Sequence, residues 1–122
     1  MDKNLLCRVV IVTALALTSH SALARGYAEA RADLVAAYQA EDYAAMVAAA
    51  EEALLARPGY PGGLFNLALA NALNGDPQAS LANLTVLLNN GIDFGVEDMD
   101  EFAALRDLPD WEAYRQRAAA LH

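Results

Sequence analysis

The chain reads as an all-helical domain: two antiparallel helix–turn–helix units followed by a C-terminal capping segment. Three observations carry that expectation. Alanine supplies 24 of the 98 residues after position 24, and it has the highest helix propensity of all residues. Valine and isoleucine are few, and no stretch alternates apolar and polar residues over the length of a strand. Turn signals recur between segments of helical length, at Glu41-Asp42, Pro58 to Gly63, Asn74-Gly75-Asp76-Pro77 and Asn90-Gly91.

The first element to set aside is a targeting segment. Lys3 and Arg8 give a positive start, Val9 to Leu17 form an apolar run, and Ser19-His20-Ser21 breaks it. Ala22-Leu23-Ala24 then supplies the small-x-small pattern of a signal-peptidase site. The apolar run is about half of the roughly 20 residues needed to span a bilayer. The expectation is therefore a cleaved signal peptide over 1–24 and a periplasmic or secreted mature chain. Cleavage would remove Cys7, the only thiol, so packing alone would stabilise the remainder.

The mature part has six Arg, no Lys and 15 carboxylates, a net charge of −9. A surface of that sign repels phosphate backbones and anionic headgroups, which argues against nucleic acid or a membrane surface as partner. Ser80, Thr85 and His122 are the only Ser, Thr and His after residue 24. Nucleophile–base pairs, His/Cys metal sites and lysine Schiff bases need residues that this segment largely lacks, so the expectation is a non-enzyme without cofactors.

The first helix is expected over Tyr27 to Gln39, with Leu34, Val35 and Tyr38 on one side. Asp42 is placed to cap a second, Tyr43 to about Ala56, where Tyr43, Met46, Val47, Ala50, Ala53 and Leu54 recur at helical spacing. Pro58 ends it, and Gly59 to Gly63 reads as a loop. The third helix, about Leu64 to Leu73, is apolar on most of its circumference and therefore central. Gly75 suits a left-handed C′ position, Asp76 a cap, and Pro77 the first turn of a fourth helix to about Asn89. That helix should bury Leu81, Leu84, Leu87 and Leu88.

These four helices read as two copies of one unit. The turns at Glu41-Asp42 and Gly75-Asp76 set a constant offset, at which Leu34 matches Ala68, Met46 matches Ser80, and Leu54 matches Leu88. Asn66-Leu67-Ala68, Gly75-Asp76, Ser80, and Glu52-Ala53-Leu54 with Pro58 resemble motifs of the tetratricopeptide repeat family. The period of that family, about 34 residues, equals the offset between the turns. Met46 and Leu34 stand where the family prefers small residues, and Ile92 where a closing proline is common. The resemblance covers about Tyr27 to Ile92, within a repeat region expected over 25–92.

The remaining segment, 93–122, opens with five carboxylates between Asp93 and Glu101. Phe102 and Leu105 then start a short helix, and Trp111, Tyr114, Ala118 and Leu121 fall on a last one. Repeat stacks need an atypical terminal element over their apolar end, and Phe102, Trp111 and Tyr114 suit that task. The stretch from Asp100 to Trp111 resembles the end of tetratricopeptide segments in bacterial exported proteins, some of which precede a gluconolactonase-like propeller. A non-catalytic module accessory to such an enzyme is the alternative functional expectation.

The acidic run lacks the alternating ligands and central glycine of a calcium loop. Glu51 and Glu52 are adjacent helix positions that do not face one another. Asn83-Leu84-Thr85 matches a glycosylation pattern but falls mid-helix. The resemblance implies a protein or peptide partner held by the first helices of the two units. It makes Arg31, Tyr38, Asn66 and Leu69 the candidate contacts, with Arg31 the anchor for an acidic terminus. Tyr38, Phe65 and Leu69 could line an apolar groove, but a place in the core is the better expectation for them.

Overall fold

The computed structural model describes residues 25–122; the segment read as a signal peptide lies outside the described residues. The described residues form α1 (Tyr27–Gln39), α2 (Tyr43–Ala56), α3 (Pro61–Leu73), α4 (Pro77–Asn89), two 3₁₀ segments (Val96–Asp98 and Asp100–Asp107) and α5 (Trp111–Ala119). No strand occurs among them. The starts of α1 and α3, Tyr27 and Pro61, repeat the offset between the turns, as do those of α2 and α4, Tyr43 and Pro77.

The two hairpin turns are built alike. Glu41 (φ 55°) and Gly75 (φ 79°) occupy matching left-handed positions. The N–H of Asp42 reaches back to the Ala37 carbonyl, and that of Asp76 to the Asn71 carbonyl, both at 2.9 Å. This return across the last turn satisfies a carbonyl that the helix end would otherwise leave open. The same aspartates then accept from the next helix, Asp42 Oδ1 from Ala45 N at 3.2 Å and Asp76 Oδ1 from Ala79 N at 3.1 Å. One residue thus closes one helix and opens the next. That double use leaves three residues for the turn and folds each pair into an antiparallel hairpin.

Between the hairpins the connection differs. Pro61 takes the first helical position, so α3 begins three residues before the expected Leu64, and Gly62 and Gly63 belong to it rather than to a loop. Proline at that position loses no hydrogen bond, because first-turn N–H groups have no partner within the helix. The Arg57 guanidinium lies 4.9 Å from the Tyr27 ring and 4.1 Å from that of Tyr60, whose rings meet edge to face. This cluster ties the start of α1 to the α2–α3 junction. Arg25 adds a bridge from Asp33 (2.5 Å) on α1 to Glu52 (3.3 Å) on α2.

The core has two parts that share α3. Leu34, Ala37, Met46, Ala49 and Ala50 pack with Leu67 and Ala70 of α3. On its other side, α3 gives Leu64 and Ala68 to a larger cluster with Leu81, Leu84, Leu87 and Leu88 of α4. Ser80, fully buried, donates to the Ala68 carbonyl at 2.7 Å, and Asn71 Nδ2 donates to Asn83 Oδ1 at 3.0 Å. In the first hairpin the matching positions hold Leu34 with Met46 and Ala37 with Ala49. Large side chains there replace the small pair of the second hairpin, and alanines replace its asparagines.

Two expectations for the flanks are corrected. Val35 and Tyr38 do not share the buried side of α1, which is formed by Ala30, Leu34 and Ala37; both are exposed. The packed side needs residues small enough for α2 to approach, and the alanines meet that need. Leu121 lies beyond the end of α5 and is also exposed.

The C-terminal segment closes the second cluster. Val96, Phe102, Leu105, Trp111, Tyr114 and Ala118 are buried against the leucines of α4. Phe102 and Leu105 are supplied by a 3₁₀ stretch, in which residues i and i+3 eclipse and so present one narrow apolar edge. Trp111 stacks on Tyr114 with ring centroids 5.4 Å apart.

Two measurements test this packing. Trp111→Ala should lower stability by about 3–5 kcal/mol in denaturant unfolding, as for a large buried aromatic. A loss below about 1 kcal/mol would place the indole on the surface instead. Burial, with the nearby charges of Asp93 and Glu97 adding to it, pushes the Tyr114 hydroxyl up to about 12. A raised folded-state value favours the neutral phenol, so its contribution is complete below the ordinary value near 10. It should disappear as pH rises from there through about 12, with one tyrosine ionising late in an ultraviolet titration. Ionisation of Tyr114 at the ordinary value near 10 in the folded protein would contradict it.

Candidate functional site

Helical spacing puts Arg31, Val35 and Tyr38 on one stripe of α1, since i, i+4 and i+7 return to nearly the same angle. All three are exposed, with Tyr38 47% accessible. The offset of one repeat carries Arg31 to Phe65, Val35 to Leu69 and Tyr38 to Ala72, so the matching stripe of α3 is apolar throughout. Phe65, Leu69 and Ala72 are half-buried and pack against the second core cluster. Leu69 also touches the first cluster, at the seam between the hairpins. Asn66 is half-buried and lies about 100° round α3 from Phe65, which takes it off this stripe.

Two aromatic residues that sequence reasoning does not assign frame the stripe. Phe94 is exposed and lies against Phe65 with centroids 4.7 Å apart, while Phe102 meets the same ring from the core at 5.9 Å. Tyr60 stands one repeat before Phe94 and also packs on the first helix of its unit, there against Tyr27, one turn before Arg31. The offset itself is the signal that could have found them. Both residues lie outside the helices to which the sequence assigns contacts.

The six arginines of the described residues divide sharply by environment. Arg25 is paired with Asp33 and Glu52, and Arg57 is held by two tyrosine rings. Arg106 donates to the Glu97 carbonyl at 2.7 Å, Arg115 makes a two-point contact with Glu112, and Arg117 reaches Asn89. The Asp33 carboxylate, through its hydrogen bond first and then its charge, raises Arg25 above the usual arginine range. The bond from Arg115, with a second from Gln116, holds Glu112 below the usual carboxylate range. Arg31 alone among the six has no hydrogen-bond, ion-pair or aromatic partner among the described residues.

The carboxylates that could suggest chemistry have local roles. Asp93 Oδ1 accepts from Gly95 N at 2.9 Å, and its Oδ2 lies 3.0 Å from His122 Nε2. Glu52 is paired with Arg25, whereas Glu51 points to a different side of α2. Among the described residues no group of three or more His, Cys, Asp or Glu is placed to hold a metal ion. The arrangement places a cation, Arg31, on the same stripe as the exposed side chains of Val35 and Tyr38.

Comparison of the chain with protein-family models, with curated proteins and with solved structures finds no match.

Proposed function

We propose that this protein is an exported, non-catalytic module of tetratricopeptide type that binds a protein or peptide along the first helices of its two hairpins. One observation carries the reading: the single arginine without a partner among the described residues shares its stripe with exposed Val35 and Tyr38. The other five arginines of the described residues are engaged, which leaves this one free to meet a partner's carboxylate beside apolar surface. A carboxylate there gains a charge-assisted hydrogen bond, and an apolar residue next to it covers Val35 and Tyr38.

The recurrence of helices, left-handed turn residues and capping aspartates at one offset supports the family resemblance. The proposed contacts are Arg31 for a terminal carboxylate and Tyr38 with Leu69 for the preceding apolar side chains. Asn66, which lies off the stripe, would meet a ligand only at its flank. The excess of 15 carboxylates over six arginines among the described residues disfavours anionic polymers, so specificity rests on one carboxylate and not on a run of them.

Peptides with free C-terminal carboxylates can be selected on the purified protein from a random library and then titrated. Arg31→Ala should weaken the best of them about tenfold or more, the loss of a charge-assisted contact worth roughly 1.5–3 kcal/mol. Amidation of the peptide should cost a similar factor, and Arg115→Ala should change nothing. Binders indifferent to both Arg31→Ala and amidation would contradict the proposed contact.

A further inference from the structure

A second surface stands apart from that stripe. Between α2 and α4 runs an open groove of about 590 Å³ whose lining includes Glu51, Leu54, Leu55, Pro58, Leu64 and Val86. Leu55 is 81% exposed and Val86 45%, the former the most accessible of the large apolar side chains on the described surface. Exposed apolar side chains that line one groove mark a place where something docks.

The acceptors beside the groove all belong to α2. Glu51, the groove's only charged side chain, is exposed and has no ion-pair partner among the described residues. The end of α2 adds carbonyls. In α1, α3 and α4 a backbone N–H returns across the last turn, from Asp42 to Ala37, Asp76 to Asn71 and Ile92 to Leu87. Helix α2 ends otherwise: Arg57 leaves the helical conformation, Pro58 has no N–H to give the Leu54 carbonyl, and Tyr60 N bonds to the Arg57 carbonyl. No hydrogen bond reaches the carbonyls of Leu54, Leu55 or Ala56 among the described residues. Open carbonyls and the negative end of the helix dipole both favour a cation. Arg57 does not serve, because its guanidinium is held between Tyr27 and Tyr60.

We propose that this groove docks a cationic apolar segment of a partner polypeptide, with leucine-like side chains over Leu55 and Val86 and a lysine or arginine between Glu51 and the end of α2. Charge chooses this occupant. The described residues carry six arginines and 15 carboxylates, so a second copy would bring the same excess of negative charge. The groove's lining is also far short of the roughly 20–30 residues a side that a stable dimer buries. The site is independent of Arg31 and stands or falls apart from the carboxylate contact on α1.

Fluorescence anisotropy with a fluorescein-labelled amphipathic peptide of leucine and lysine tests the proposal, with a leucine–glutamate counterpart as control. The lysine peptide should bind and the glutamate peptide should not. Leu55→Ser changes no charge and alters a side chain that is already exposed, so the fold should persist by circular dichroism. It should weaken the lysine peptide about tenfold, the loss of one buried leucine contact. Glu51→Gln should weaken it about threefold, with the difference vanishing at high salt. Arg31→Ala should have no effect. Equal affinity for both peptides, or binding of the lysine peptide unchanged by Leu55→Ser, would overturn the proposal. So would a concentration-dependent dimer that Leu55→Ser dissociates, because a second copy would then be the occupant.

Discussion

Helix α3 must serve two cores at once, and the rest of the structure depends on that constraint. Its Leu67 and Ala70 face the first hairpin, while Leu64 and Ala68 face the leucines of α4. A helix flanked on both sides cannot carry a polar face of ordinary width, which accounts for its apolar circumference. It also means that neither hairpin buries its apolar surface alone. Leu54 and Leu69, packed against both clusters, fasten the two parts together. With no thiol after residue 24, this shared wall has no disulfide to support it.

The turns make that sharing possible. Each one reverses the chain in three residues by having an aspartate complete the helix behind it and cap the helix ahead. Glu41 performs in the first turn what Gly75 performs in the second, although a left-handed backbone costs a residue with a Cβ roughly 1–2 kcal/mol. The first hairpin tolerates that strain because the flanking hydrogen bonds fix the geometry from both sides. The opposite end of the stack has a different solution: a 3₁₀ stretch and a nine-residue helix bring Phe102, Leu105, Trp111 and Tyr114 over α4. The α1 stripe and the α2–α4 groove are among the apolar surfaces that stay uncovered after this closure, and they are the two for which binding is proposed.

Much of this architecture is legible in the sequence, for identifiable reasons. Helix ends are written in local chemistry, so Asp42, Asp76, Gly75 and Pro77 announce their turns without help from distant residues. The leucines of α4 announce its buried side because they recur at helical spacing, with Val86 the one large apolar residue of that helix left exposed. Val35 and Tyr38 mislead, since hydrophobic character predicts burial only where a neighbour covers the residue. On α1 the alanines take that place, and alanine stands on every side of the helix, so it gives no direction. Pro61 reads as a breaker although it is compatible with a first helical turn. The tyrosine–arginine cluster stays hidden because Tyr27 meets Arg57 and Tyr60 only once α1 and α2 pair and bring the start of one helix to the end of the other. Of the α1 site, the shared stripe of Arg31 and Tyr38 follows from spacing; that Arg31 lacks a partner can be seen only after the other five arginines have found theirs.

The central claim is that two hairpins and the terminal segment form one cooperative unit through α3. Equilibrium denaturant unfolding followed by two probes tests it directly. Far-ultraviolet circular dichroism reports all the helices, whereas fluorescence of the single tryptophan, Trp111, reports only the end of the stack farthest in sequence from α1. Coincident transitions, with the same midpoint and the same slope, are the result this account predicts. Loss of the α1–α2 share of helical signal while Trp111 keeps its folded emission would show that the hairpins are separate, and would contradict it.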